Sequence, residues 1–223
     1  MGRDATTILC DPAMGAVNTI ATSGNSQGLR DLKIDENQPN RAGGNPFVGI
    51  FLSGTNPLVE NCQFVRNKSV GTFVFLANGG QMRNCIILNN GNALSTAMIQ
   101  GGDLIESCTL TLNQTSGTNN DWIQSANQVM NCRLIRTTGS FSGAGIRTGS
   151  SNKIIVGNGL FVSSGNAIIL SSGSNVHTVV GNIGNGTTIL LESGSSNSAI
   201  VGNASFVITN NSGNSTNQIV GNT

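Results

Sequence analysis

Ten acidic side chains and one histidine are the whole stock from which this 223-residue chain could assemble acid–base chemistry. Hydrolysis of a glycosidic bond takes two carboxyls about 5 to 9.5 Å apart. Glu60 and Glu106 form the best-spaced pair, two sequence repeats apart and so roughly 9.6 Å along a stacked β-structure. Arg83 falls between them, which favours a neutralised surface ladder over an acid and a base. Asp103 shares a repeat with Glu106, and Asp121 stands beside Trp122, the only tryptophan. That last pair reads either as a small saccharide-contact patch or as two turn residues. The catalytic candidates are thus Glu60, Asp103, Glu106 and Asp121, and the ligand-binding candidates are Asp121 and Trp122. A Ser-His-Asp triad would rest wholly on His177, which lies between Asn175-Val176 and Thr178-Val179 and reads as a surface histidine on a corner. A polysaccharide lyase would want an Arg or Lys base near a calcium-binding acidic cluster; Arg133, Arg136 and Arg147 are present, and the cluster is not.

Four of the five cysteines, Cys62, Cys85, Cys108 and Cys132, recur at spacings of 23, 23 and 24 residues. Zinc sites draw ligands from two to four residues apart or from converging elements, and no such cluster is visible. A regular column of thiols is expected to be a file of small buried core residues, free of disulfides, which suits assembly in a reducing cytoplasm. Cys10 lies outside that file. No phosphate-cradling glycine motif opens a helix, so neither a metal nor a cofactor is expected.

The elements that must position these residues follow from a recurring motif: apolar, variable, Asn, small, variable, apolar. It appears as Val59-Glu60-Asn61-Cys62-Gln63-Phe64 and Met82-Arg83-Asn84-Cys85-Ile86-Ile87. Ile105-Glu106-Ser107-Cys108-Thr109-Leu110 and Val129-Met130-Asn131-Cys132-Arg133-Leu134 follow. Val156-Gly157-Asn158, Val180-Gly181-Asn182, Val201-Gly202-Asn203 and Val220-Gly221-Asn222 continue it, and Leu29-Arg30-Asp31-Leu32-Lys33-Ile34 precedes it with Asp in place of Asn. Repeats of 20 to 50 residues signal a solenoid. Apolar residues on both sides of the Asn have the parity of strand, one-residue bend, strand, and Asn tolerates the left-handed conformation of such a bend. The reading is an all-β, single-stranded parallel β-helix of about eight to nine coils. An internal ladder of stacked amides from Asn61, Asn84, Asn131, Asn158, Asn182, Asn203 and Asn222 is expected inside it. Outward residues before the bend, Arg30, Glu60, Arg83 and Glu106, alternate in sign as stacked neighbours should. After Met130 the same column is read as Gly157, Gly181, Gly202 and Gly221. Shorter C-terminal coils imply a slimmer end. A β-sandwich is the plainer alternative, though it does not require one identical motif per turn.

Composition removes other classes. Charged residues are 9% of the chain and the net charge is +1, too little for a phosphate-binding patch, so nucleic acid is not an expected partner. No run of 18 apolar residues occurs, and membrane insertion is not expected either. Regularly placed hydrophobic residues, 37% of the total, argue for a packed core over disorder.

Met1-Gly2-Arg3-Asp4-Ala5-Thr6-Thr7-Ile8-Leu9, followed by Gly28-Leu29-Arg30-Asp31-Leu32-Lys33-Ile34-Asp35, resembles the lead-in coils of pectate-lyase-fold proteins. It is most similar to bacteriophage tailspikes and their polysaccharide depolymerases. The resemblance implies a right-handed helix forming a single domain, with residues 1–28 as lead-in coil and 29–223 as regular coils. Compared with that family the chain lacks an upstream segment and capping helix and ends on a repeat motif, so it is expected to be a fragment or to stack on another polypeptide. The family pattern implies a homotrimer that contacts other virion tail proteins and host surface polysaccharide, assembled in the host cytoplasm and exposed on the virion. The leading expectation is a structural, host-attachment module without catalysis. The runner-up is a depolymerase, a glycosidase or lyase, using the four carboxylates, and a bacterial adhesin is a third reading. A shared fold does not by itself choose among them.

Overall fold

The computed structural model describes residues 6–9, 19–36, 48–66, 71–89, 96–112, 121–136, 143–162 and 165–223. Cys10 and residues 1–5 of the lead-in stretch lie outside the described residues. All regular structure within them is β-strand, in three sheets of nine, nine and seven strands. One turn of chain visits the sheets in order: Val48–Leu52 in the first, Leu58–Glu60 in the second, Gln63–Val65 in the third, then Thr72–Leu76 back in the first. Every strand pairs in parallel with the strand one coil away, which makes the chain a solenoid.

Stacking of like on like builds the core. In the first sheet Ile50, Val74, Ile99, Ile123, Ile146, Ile168 and Ile189 form one inward file. In the second sheet the file is Val59, Met82, Ile105, Val129, Ile155, Val179 and Ile200. Phe64, Ile87, Leu110, Leu134 and Leu160 close the triangle from the third. These side chains are almost wholly shielded from solvent, and each contributes about 1.5–3 kcal/mol by leaving water. Beyond Gly159–Phe161 the third wall thins to single bridges at Ile183 and Ala204, so the C-terminal coils are slimmer.

The bend between the second and third sheets departs from the expected single file of asparagines. Asn61, Asn84, Ser107 and Asn131 adopt φ of 52 to 55°, and all four are exposed. In the C-terminal coils that left-handed place belongs to Gly157, Gly181, Gly202 and Gly221, with φ of 60 to 67°. Strand pairing sets Met130 opposite Val156, which puts Asn131 level with Gly157 and Cys132 level with Asn158. Asn158, Asn182, Asn203 and Asn222 therefore continue the cysteine file, one column inward from Asn61, Asn84 and Asn131. The expected seven-residue ladder is corrected to four. The glycines are likewise corrected from the outward column to the bend: that column runs Arg30, Glu60, Arg83, Glu106, Met130, Val156, Val180, Val201, Val220. The physical reason is that two different needs select Asn, tolerance of positive φ and a buried amide that bonds both ways along the axis.

Candidate functional site

The structure distributes the four candidate carboxylates over three places. Glu60 and Glu106 lie outward on the second sheet with Arg83 in register between them. Glu60 pairs with Arg30 at 3.5 Å and Glu106 with Arg83 at 3.6 Å. Asp103 sits on the corner before the second sheet and accepts a hydrogen bond from Asn127 Nδ2 at 2.8 Å. Asp121 opens a strand of the first sheet and is buried. Its Oδ1 accepts from the Ala144 amide at 2.9 Å and its Oδ2 from Arg147 Nε at 2.8 Å. Burial raises the Asp121 carboxyl above the usual range, and the Arg147 charge works against that shift. Arg147 Nη1 also reaches Glu192 at 3.5 Å.

Trp122 is corrected as a ligand contact: its ring is fully buried in the core and offers no platform. His177 is corrected from a surface position, being 1% exposed. Its Nδ1 accepts the Lys153 amide at 3.4 Å, which leaves the proton of the neutral ring on Nε2, 2.9 Å from Ser174 Oγ. Burial, and then the Lys153 charge, lower the imidazole to about 4. Cys62, Cys85, Cys108 and Cys132 are free and buried. Hydrogen bonding to the next thiol and then burial push Cys85 and Cys108 up to about 12, so neither is a nucleophile at neutral pH. Among the described residues no group of three His, Cys, Asp or Glu could hold a metal ion.

Two features that motif reading missed lie next to each other. The first is a strip along the outer face of the first sheet, where Phe51, Phe75, Gln100, Gln124 and Arg147 succeed one another in register. The Phe51 and Phe75 rings stack at 5.0 Å between centroids. Half-buried rings, amides and a guanidinium in line present apolar faces and planar donors, the groups that recognise sugar rings and hydroxyls. The alternation of inward Ile and outward Gln in Ile99-Gln100 and Ile123-Gln124 was the available signal.

The second feature is a notch in the corner joining the first sheet to the second. Four residues (77–80) form that corner after Thr72–Leu76, only two (102 and 103) after Ala97–Gly101, three (125–127) after Asp121–Gln124 and six (148–153) after Ala144–Arg147. The two-residue corner needs glycine: Gly101 and Gly102 have φ of +81° and +85°, and a Cβ on Gly101 would stand 2.3 Å from the Leu76 carbonyl oxygen. Longer corners on either side leave a cleft of about 370 Å³, lined by Phe75, Asn78, Gly101, Gly102, Ser125, Asn127, Ser150 and Lys153 among others. Lys153, 3% exposed, reaches back across it and donates from Nζ to Asn127 Oδ1 at 2.5 Å and to the Ser125 carbonyl at 3.4 Å.

With this geometry in hand, comparison with known families gives one match: the family described as right handed beta helix region covers residues 18–183. No curated protein and no solved structure matches the chain.

Proposed function

The chain belongs to the right-handed β-helix family, and on that premise we propose that it is a structural and host-attachment module of bacteriophage tailspike type. It holds surface polysaccharide along the outer face of the first sheet without cleaving it. The observation that carries this reading is the engagement of all four candidate carboxylates: Glu60, Glu106 and Asp121 face arginines, and Asp103 accepts from an amide. A general acid and a general base need carboxyls whose protonation states differ and whose separation brackets a glycosidic bond. Here the charges are spent on neighbouring coils. The strip of Phe51, Phe75, Gln100, Gln124 and Arg147 offers instead a long, fixed surface on rigid strands, suited to a linear polymer. In the tailspike reading the module assembles as a homotrimer with other virion tail proteins.

Depolymerase activity is the alternative, and Asp121 favours it by its raised carboxyl beside the strip. The two readings part in one experiment. The protein is incubated with capsule or lipopolysaccharide from a panel of bacterial hosts, and bound glycan, new reducing ends and unsaturated products are measured together. Binding without products, weakened at least tenfold by Phe75→Ala, is expected. Products that vanish in Asp121→Asn or Glu106→Gln would replace the proposed function with the enzymatic one.

A further inference from the structure

One corner of the solenoid carries chemistry of its own. An asparagine followed by glycine can lose its side-chain amide, because glycine has no side chain to hinder attack of its nitrogen on the asparagine Cγ. Four such pairs occur, Asn78-Gly79, Asn90-Gly91, Asn158-Gly159 and Asn185-Gly186; Asn90-Gly91 lies outside the described residues. The attack needs a carboxamide and a glycine N–H that no other bond holds in place, and the three described pairs differ in this. Asn158 is 1% exposed, its Nδ2 donates to the Val129 carbonyl and to Asn182 Oδ1, both at 2.9 Å, and the Gly159 N–H donates to the Cys132 carbonyl at 2.9 Å. Asn185 is exposed, yet its Nδ2 donates to the Val162 carbonyl at 3.0 Å and the Gly186 N–H to the Ser205 carbonyl at 2.7 Å. Asn78 is exposed, and among the described residues neither its carboxamide nor the Gly79 N–H has a hydrogen-bond partner.

The fold itself sets up this pair. The Gly80 N–H donates to the Ala77 carbonyl at 2.9 Å and closes a turn around Asn78 and Gly79. Gly79 stands at φ +75°, and a Cβ there would collide with Asn56 Oδ1 of the preceding coil. Turn and stacking both demand glycine at 79, and so they leave the Asn78 carboxamide beside an unhindered nitrogen.

We propose that Asn78 is a modification site, at which the chain deamidates itself with water as the only co-reactant. The Gly79 nitrogen gives up its proton and bonds to Asn78 Cγ, the bond from Cγ to Nδ2 breaks, and ammonia leaves with that proton. The five-membered imide then takes up one water and opens at one of its two carbonyls, giving aspartate or isoaspartate. Nothing is oxidised or reduced. Either product is an ionised carboxylate at neutral pH, which takes the formal net charge from +1 to zero. The new charge stands on the wall of the corner cleft, which Asn78 and Gly79 line together with Lys153. Isoaspartate does more, because the main chain then runs through Cγ and the former main-chain carbonyl becomes the free carboxylate. In the unmodified chain that carbonyl accepts the Asn56 N–H at 3.0 Å, a bond that ties two coils together at this corner. The modification is an age mark that changes charge and coil-to-coil bonding next to Phe75, whatever the first-sheet face binds.

The test holds the unaltered full chain at mildly alkaline pH, folded and in parallel unfolded in urea. Each Asn-Gly pair is followed over time by peptide mass spectrometry, with isoaspartate resolved from aspartate. In the folded protein Asn78 is expected to convert at least tenfold faster than Asn158 and Asn185. In urea the three rates should draw together, since the dipeptide is the same and only the fold separates them. Hydrogen exchange at the Asn56 amide should speed up in the isoaspartate form and stay unchanged in Asn78→Asp, which brings the charge without the extra backbone atom. Conversion of Asn158 or Asn185 as fast as Asn78 in the folded protein overturns the proposal without needing any variant to fold. An Asn78 that converts only in urea overturns it equally, because the turn would then protect the pair.

Discussion

The N-terminal and C-terminal coils solve the same corner with different residues. Behind the bend, Cys62, Cys85 and Cys108 fill an inward slot in which the Cys62 amide donates to Cys85 Sγ at 3.4 Å. Cys85 and Cys108 donate to carbonyls of the previous coil at 3.7 Å. Asn158, Asn182 and Asn203 fill the equivalent slot farther on. There the Asn158 amide donates to Asn182 Oδ1 at 2.9 Å, and Asn182 Nδ2 donates to the Ile155 carbonyl at 3.1 Å. The two files join where the Cys132 amide meets Asn158 Oδ1 at 2.8 Å. Thiol and amide therefore do the same job at different strength: both files link to their own kind, but the thiols do so through weak sulfur donors and acceptors, the carboxamides through N–H···O bonds, Asn158 to Asn182 at 2.9 Å and Asn182 to Asn203 at 2.8 Å. The stronger file takes over at Asn158, one coil before the third wall thins to single bridges at Ile183 and Ala204. The outer surface changes at the same point, from the Arg30, Glu60, Arg83, Glu106 ladder to Val156, Val180 and Val201.

Breaking each file should separate them most clearly. Asn182→Ala strands the Asn158 backbone amide and removes the donors to the Ile155 carbonyl and Asn203 Oδ1, and is expected to cost about 3–5 kcal/mol in urea unfolding. Cys85→Ala, in the equivalent slot, is expected to cost about 1 kcal/mol. Equal costs would show that the files do not differ in strength.

Acid should act on the C-terminal coils first. His177 protonates near 6.5 when unfolded and near 4 when folded. Between those values the unfolded chain binds more protons, so stability falls as pH drops through that window, by roughly 2–4 kcal/mol in total. Thermal melts of the protein and of His177→Gln from pH 7.5 to 4 check this; the loss of stability between about 6.5 and 4 should be much smaller in the variant.

The bends offer a smaller contrast. Gly181→Ala meets no atom within 4 Å of the new Cβ but must hold φ near 64°, and should cost about 1–2 kcal/mol. Asn84→Gly at φ 52° should change stability by less than about 1 kcal/mol. Smallest of all, Arg83→Met should cost under about 1 kcal/mol, reduced in high salt, since the Arg83 and Glu106 side chains are both partly exposed.

The solenoid was legible in the sequence because a period of twenty-odd residues leaves few other ways to bury one apolar motif per turn. The cysteine column and the sign alternation of Arg30, Glu60, Arg83 and Glu106 were legible for the same reason: residues one period apart become neighbours. Aligning Asn with Asn misplaced the register by one residue. The corrective signal was local: Ile154-Ile155-Val156-Gly157 has one residue more before its Asn than Gln128-Val129-Met130, and glycine takes a left-handed bend more readily than Asn.

What the sequence determined alone was periodicity: strand, bend and core repeat with the chain, and stacking converts each repeat into a column. Which residue of each column faces inward, the burial of Trp122 and His177, and the notch beneath Phe75 were decided only by the tertiary structure. Those properties depend on how corners of unequal length stack on one another, and a corner's depth is set by its neighbours one coil above and below.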